Sequence, residues 1–243
     1  MIAIRSLVKY FGNRTVLRSV NCEFAPGRVV GIAGPNACGK STLMKSILGL
    51  VIPDKGEIEV SGISARMDSA RGEIGYMPQH ASYPARLTPR ELFELVAALR
   101  RKNPTRREEL IDRFAVRSFL DSPCGTLSVG TRQKISAIAA LMCEPPILIL
   151  DEPTASFDPV AAYTFKQLVR EESKRGSTIL IVSHIVSELE QLIDDLVFML
   201  EGRVLFQGSF DALSNLAGTS DLELAIIQLM QGTTHLHSED TAR

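Results

Sequence analysis

Two apolar patterns alternate along the chain. Short runs rich in β-branched residues, bounded by glycine or proline, occur at RVVGIAG (28–34), GEIEVSG (56–62), EIGYMPQ (73–79), PILILDE (146–152), STILIVSH (177–184) and DLVFMLEGRVLFQG (195–208). Continuously apolar stretches such as ILIL and ILIV predict strands buried on both faces of a parallel sheet. Segments near the N-terminus alternate instead, as half-exposed antiparallel strands do. Between the runs the spacing turns helical. Lys40 to Leu50 carries Leu43, Met44, Ile47 and Leu48 on one stripe. TPRELFELVAALR opens on Thr88, Pro89 and Glu91, a capping box with proline in the first turn, and continues with Leu92, Leu95, Val96 and Leu99 at helical spacing. DPVAAYTFKQLVREESKRG starts at Asp158–Pro159 and stops at Gly176. Residues of about 80–140 read as mostly helical, inserted between two parts of an α/β core.

Composition narrows the class. The 243 residues are 45% hydrophobic and 23% charged, ordinary for a globular chain with a sizeable core. A net charge of −1 gives no global field to recruit nucleic acid or acidic lipid. Cys22, Cys38, Cys124 and Cys143 show no paired or metal-ligand spacing, which suits a reducing compartment. MIAIRSLVKYFG has no charged leader followed by an apolar core and a cleavage site, and no apolar run approaches the roughly 20 residues of a membrane helix. The expectation is a cytoplasmic chain whose membrane part, if any, is another polypeptide. The basic run LRRKNPTRREELIDR (99–113) is interrupted by Glu108, Glu109 and Asp112 and lacks stacking aromatics, so it reads as a solvated helix and turn rather than a nucleic-acid site. HLHSED (235–240) reads as a frayed polar terminus.

The chemistry concentrates in GPNACGKST, residues Gly34, Pro35, Asn36, Ala37, Cys38, Gly39, Lys40, Ser41 and Thr42. Gly34, Gly39, Lys40 and Ser41 satisfy G-x-x-x-x-G-K-[ST], with a buried strand before and an amphipathic helix after. Backbone N–H groups of such a turn and helix N-terminus face phosphates, the lysine reaches the β- and γ-phosphates, and the hydroxyl completes a Mg²⁺ shell. A second buried strand ends in Asp151–Glu152. In a doubly wound sheet that pair emerges at the same carboxyl edge as the loop, where Asp151 can hold the Mg²⁺ shell through water and Glu152 can polarise an attacking water.

Five motifs in one order then resemble the ATP-binding cassette of ABC transporters, over essentially residues 2 to 230. After the phosphate loop comes YMPQ, whose Gln79 matches the Q-loop. LSVGTRQK (127–134) resembles the signature usually written LSGGQ, LILDEPTASFD (148–158) matches Walker B with Ser156 to Asp158 as D-loop, and SH at 183–184 supplies the switch histidine, His184. Phe11 falls at the family's adenine-stacking aromatic, with Tyr10 next door as the fallback. The resemblance implies one cassette over 1–232, with a P-loop ATPase core, an N-terminal antiparallel β subdomain and an inserted helical subdomain at about 80–140, followed by a disordered polar tail at 233–243. It implies ATP and Mg²⁺ as cofactors, with Ser41, Gln79 and Asp151 at the metal and Glu152, His184 and Gln79 as catalytic residues. It also implies a head-to-tail homodimer in which Ser128 and Gly130 of each copy clamp the ATP held by the other. The partner is a separate transmembrane permease, which would hold the chain at the inner face of the cell membrane; no nucleic acid is expected.

The departures are local. Ala37 stands where related loops have glycine, so the turn must hold it at negative φ or absorb strain. Cys38 reads as a small buried filler, the alternative being a redox-sensitive thiol at a helix N-terminus. Val129 and Thr131 replace a glycine and a glutamine of the signature. With Lys40, Gln79, Asp151, Glu152 and His184 all present, an active ATPase is expected. The LELAIIQLM tail (222–230) resembles ABC-2 export cassettes, and GPNACGKST with LSVGTRQK resembles those for copper-site assembly of nitrous oxide reductase. Drug export and a non-transport regulatory cassette stay open as alternatives. A GTPase lacks its N-K-x-D element here, and the chain has room neither for the coils of a DNA-repair ATPase nor for a second cassette.

Overall fold

β1 (Ile2–Phe11) and β2 (Arg14–Phe24) show how the N-terminal alternation folds. Ile2, Ile4 and Leu7 of β1, with Leu17, Val20, Cys22 and Phe24 of β2, are buried, while Arg5, Ser19 and Asn21 face outward. The strands pair antiparallel around a turn at Gly12–Asn13, and Phe11 lies opposite Arg14. The computed structural model describes residues 1–183, 192–221 and 223–230.

Along the chain follow β3 (Val29–Ala33), α1 (Lys40–Ile47), β4 (Lys55–Val60), β5 (Ile63–Ser64), α2 (Asp68–Gly72), β6 (Ile74–Met77), α3 (Pro89–Arg100) and α4 (Arg107–Arg113). Short 3-10 turns at Arg117–Phe119 and Cys124–Thr126 lead to α5 (Val129–Leu141), β7 (Ile147–Asp151), α6 (Pro159–Lys174), β8 (Thr178–Val182), β9 (Asp195–Leu200) and β10 (Arg203–Ser209). A helix at Phe210–Ala217 and another at 223–230 close the described chain.

The chain forms two compact units. The first comprises Met1–Phe24, Val29–Arg66 and the described part of Val182–Arg243. Its antiparallel sheet runs β2-β1-β4-β5. Separately, β3 pairs parallel with β9, from Val30 opposite Asp195 to Ala33 opposite Phe198, and β9 returns antiparallel as β10 through Glu201–Gly202. All five residues of β3 are buried, as its continuous apolar run requires.

The second unit comprises Ala25–Arg28 and Met67–Ile181. β6 and β7 pair parallel from Ile74–Ile147 to Met77–Leu150, and β8 lies on the other side of β7. Between β6 and β7 the chain is helical. Thr88 caps α3 as expected: its hydroxyl accepts from the Glu91 N–H, and the Glu91 carboxylate accepts from the Thr88 N–H at 2.9 Å. The expected apolar stripe of α3 is buried only in its first half, at Pro89, Leu92 and Phe93; Leu95 and Leu99 are 48% and 75% exposed. On α6 the buried stripe is Ala161, Phe165, Leu168, Val169 and Glu172.

That last residue corrects the reading of the basic run. Arg106 is only 4% exposed and ion-pairs with Glu172, itself 1% exposed. Its Nε and Nη2 also donate to both oxygens of Glu109, at 2.9 and 2.8 Å, while Arg113 pairs with Glu171 at 2.7 Å. Part of what looks like a solvated face therefore joins α4 to α6, because burial was set by a partner 66 residues away that local charge patterning does not reveal.

Candidate functional site

The phosphate loop spans the step from β3 to α1 in the first unit. Gly39 takes the helix N-cap at φ 110°, no side chain caps the helix, and no acidic residue lies in its first turn. An uncapped, non-acidic helix N-terminus leaves N–H donors and the positive end of the dipole for an anion. Gly34 is required sterically: at φ 147°, a Cβ there would overlap the Met199 carbonyl oxygen of β9. The loop is braced from the same side by the Gly202 N–H, which donates to the Cys38 carbonyl at 2.9 Å.

Lys40 is 9% exposed, and its ammonium donates to the Gly34 and Pro35 carbonyls at 2.6 and 3.0 Å. The charge is thus held inside the turn by the loop's own oxygens. Ala37 resolves the open question of the loop: it sits at φ 61°, so the turn keeps the left-handed geometry and alanine carries the strain. Cys38 is 4% exposed, with its Sγ 3.9 Å from the Lys40 ammonium.

Beside the loop opens a cleft of about 990 Å³ lined by Phe11, Arg14, Val16, Arg18, Pro35, Asn36, Ala37, Cys38 and Gly202, among others. Its volume is at the upper end of the roughly 300–1,000 Å³ common for ligand sites. Phe11 is 51% exposed on this wall, and Tyr10 does not line it. The Lys9 ammonium stands 5.4 Å from the centre of the Phe11 ring. Lys9 is anchored by donating to the Ile52 carbonyl at 2.7 Å and by Asp54 at 3.2 Å. Arg14 and Arg18 were not singled out from sequence. The signal was there in the period-2 pattern of β2, which puts Arg14, Val16 and Arg18 on one face, but only the fold shows that this face borders the loop.

The second unit carries the remaining residues. Gln79 is exposed just beyond the end of β6, and Asp151 ends β7. Since Met77 lies opposite Leu150 in a parallel pair, both residues emerge at one carboxyl edge. Glu152 follows at φ 47°, a left-handed conformation of the kind often stored at functional sites. Asp151 lies near Tyr76, whose phenol is pushed up by burial first and by that carboxylate second. Ser128 is the N-cap of α5: its Oγ accepts from the Thr131 N–H at 3.1 Å and lies 2.8 Å from the Thr131 hydroxyl. Gly130 packs so closely on the D-loop that a Cβ would stand 2.9 Å from the Ser156 carbonyl oxygen. Lys134 of α5 pairs with Asp158 at 2.7 Å, and its hydrogen bond holds the Asp158 carboxyl below the usual range. Asp158 in turn caps α6 by accepting from the Ala161 N–H at 2.8 Å. His184 lies outside the described residues.

The structure thus gathers Phe11, Pro35, Asn36, Ala37 and Cys38 on one cleft wall, with Gly34, Gly39, Lys40, Ser41 and Thr42 in the adjoining turn and helix start. Within the second unit it aligns Gln79 with Asp151 and sets Gly130 against the D-loop. Parallel strands, an antiparallel β sheet and helices between β6 and β7 define the class: an α/β phosphate-loop ATPase.

The sequence profile of the ABC transporter family matches residues 17–155. The chain is 31% identical over 216 residues to a lantibiotic transport ATP-binding protein of Streptococcus pyogenes, covering 89% of this chain and 94% of that one. It is 34% identical over 218 residues to a Nod factor export ATP-binding protein of Rhizobium sp. (strain N33), covering 87% of this chain and 72% of the relative. A solved ATP-binding subunit of an ABC transporter superposes with a TM-score of 0.90 at 28% identity, covering 95% of this chain and 99% of its own. The chain belongs to the ABC transporter family, as an ATP-binding cassette with ATPase activity.

Proposed function

We propose that this cassette powers an export system, driving a separate membrane permease through ATP-dependent closure of a head-to-tail homodimer. The observation that carries the reading is the uncapped start of α1 beneath the Lys40-filled turn, opening onto a cleft with Phe11 on its wall. In that reading the adenine stacks on Phe11, and the phosphates meet the turn's N–H groups and the α1 N-terminus. Lys40 exchanges its two carbonyl partners for phosphate oxygens. Glu152 orients and polarises the attacking water, Gln79 senses it, and His184 contacts the γ-phosphate. Catalysis of this kind is positioning and charge stabilisation.

The donors assigned to Mg²⁺ fit that ion. The Ser41 hydroxyl, the Gln79 amide oxygen and the Asp151 carboxylate are all hard oxygen ligands, and Ser41 is exposed at the helix start. When bound, the ion would offset the charge of the phosphate oxygens. The chain's own residues hold and orient the nucleotide.

Dimer closure suits the second unit's geometry. Ser128 and Val129 are exposed at the N-terminus of α5, where a helix can present N–H groups to a partner's nucleotide. ATP drives the permease only because it binds the closed dimer better than the open one. No helix among the described residues is long and apolar enough to cross a membrane. In this reading the permease holds the chain at the inner membrane face. Export is supported by the relative named for Nod factor export, and transport more broadly by the one named for lantibiotic transport. The copper-site assembly expectation rests on two motif variants and gains no support from those relatives; drug export fits equally. The test is Glu152→Gln. Turnover should drop to background while an ATP-bound dimer accumulates in gel filtration; retained turnover, or a monomer with ATP bound, refutes the reading.

A further inference from the structure

Gln133 lies on α5 past Gly130 and is 1% exposed. Its carboxamide spends both ends on one stretch of chain. Nε2 donates to the Pro78 carbonyl at 3.0 Å, and Oε1 accepts from the Ala81 N–H at 3.4 Å. Those two atoms bracket Gln79. One helical turn further along, Ser136 is buried, and the half-buried Tyr83 has its phenol pushed up by burial first, with Ser136 opposing. Ahead of the helix, the Gly125 and Cys124 N–H groups donate to the Ala85 and Leu87 carbonyls at 2.9 and 2.8 Å. The strip from Pro78 to Leu87 is therefore laced along the segment that presents Ser128 and Gly130.

Packing alone does not ask for glutamine at this position. An aliphatic side chain would fill the same buried volume with no amide to satisfy, and a buried amide is costly unless both ends are paired. What glutamine adds is a directional hold on the turn that carries Gln79. Gln79 itself is exposed.

We propose that Gln133 is a positioning residue that fixes the Gln79 turn to the signature helix. The proposal rests on the reading of the dimer given above. There, Gln79 serves the ATP on its own chain, and Ser128 and Gly130 serve the ATP on the partner. Gln133 then links the two ATP sites through one side chain, so that a shift of the signature helix on one nucleotide moves the sensing glutamine at the other.

The test uses the full chain with ATP and Mg²⁺ and compares Gln133→Met, Gln79→Ala and the double variant. Methionine keeps length and apolar volume but offers neither hydrogen bond; Gln133→Glu, which keeps only the acceptor for Ala81, serves where methionine yields no folded protein. We expect Gln133→Met to lower kcat about fivefold or more with the KM for ATP changed less than about twofold. Amide hydrogen exchange should quicken in the peptide containing Ala81 while the α5 peptide stays protected. In the Gln79→Ala background the added loss in kcat should shrink below about twofold, because the clamp acts through Gln79. An undiminished loss in that background, or an unchanged kcat in Gln133→Met, overturns the proposal alone. Full turnover in Gln79→Ala overturns the role of Gln79 and the proposal with it.

Discussion

Replacing Arg106 by methionine removes a guanidinium that is 4% exposed and leaves the Glu172 carboxylate, 1% exposed, without its main partner. Breaking one side of a buried ion pair costs about 3–5 kcal/mol, because the remaining charge stays desolvated. The lower end applies here. Arg175 still reaches the Glu172 carboxylate at 3.0 Å, and the other two partners of Arg106, Glu109 and Glu171, are 44% and 40% exposed and regain water. A loss of about 3 kcal/mol in a chain of this size lowers Tm by roughly 6–12 °C. Adding Glu172→Leu should recover most of it, since replacing a whole buried pair by apolar groups is often neutral.

The pH dependence follows from the two carboxylates. Burial pushes the Glu172 carboxyl up and Arg106 opposes it, so without Arg106 the folded state favours the protonated form more strongly. A carboxyl raised on folding loses stability as pH rises from the ordinary glutamate range through its raised value, so the deficit of the variant should widen as pH rises above that range and narrow as pH falls toward it. Glu109 has the opposite sign. Hydrogen bonds from Arg106, then Arg113, hold it at about 2, so its contribution is present above the ordinary glutamate range and lost as pH falls toward that value. Thermal unfolding followed by circular dichroism at several pH values decides the matter. A Tm within about 2 °C of wild type for Arg106→Met, or a double variant no better than the single, would refute the argument.

Two further outcomes concern the cleft. Ala37→Gly relieves a left-handed alanine worth about 1–2 kcal/mol while adding up to about 1 kcal/mol of unfolded-state freedom, so Tm should rise by up to about 4 °C with the KM for ATP unchanged; a lower Tm contradicts the strain at φ 61°. Phe11→Ala should weaken ATP binding by about 1–3 kcal/mol, roughly five- to 150-fold in a titration, with Tyr10→Ala near wild type; the reverse order would move the stacking surface to Tyr10.

Legibility followed the range of the interaction. The capping box at Thr88, the start of α6 at Asp158 and the buried runs of β3 and β7 were readable because caps and periodicity are written within a few residues. The phosphate loop was readable for the same reason. Its glycines, lysine and serine all lie between Gly34 and Ser41, although the atom that enforces the steric demand at Gly34 belongs to the remote Met199.

Other features depend on which distant segments meet. No local pattern distinguishes Arg106 from its solvated neighbours, or shows that Arg14 and Arg18 border the loop, or that the Gln133 amide holds the Gln79 turn. Ala37 lies between the two cases. From residue types alone its φ had two answers, and the closing of the turn between β3 and α1 selected the strained one. Local order could name the nucleotide chemistry because phosphate is bound by backbone in one short segment. Burial and positioning needed the fold, because a side chain's dielectric and its partners are set by chain that is remote in sequence and adjacent in space.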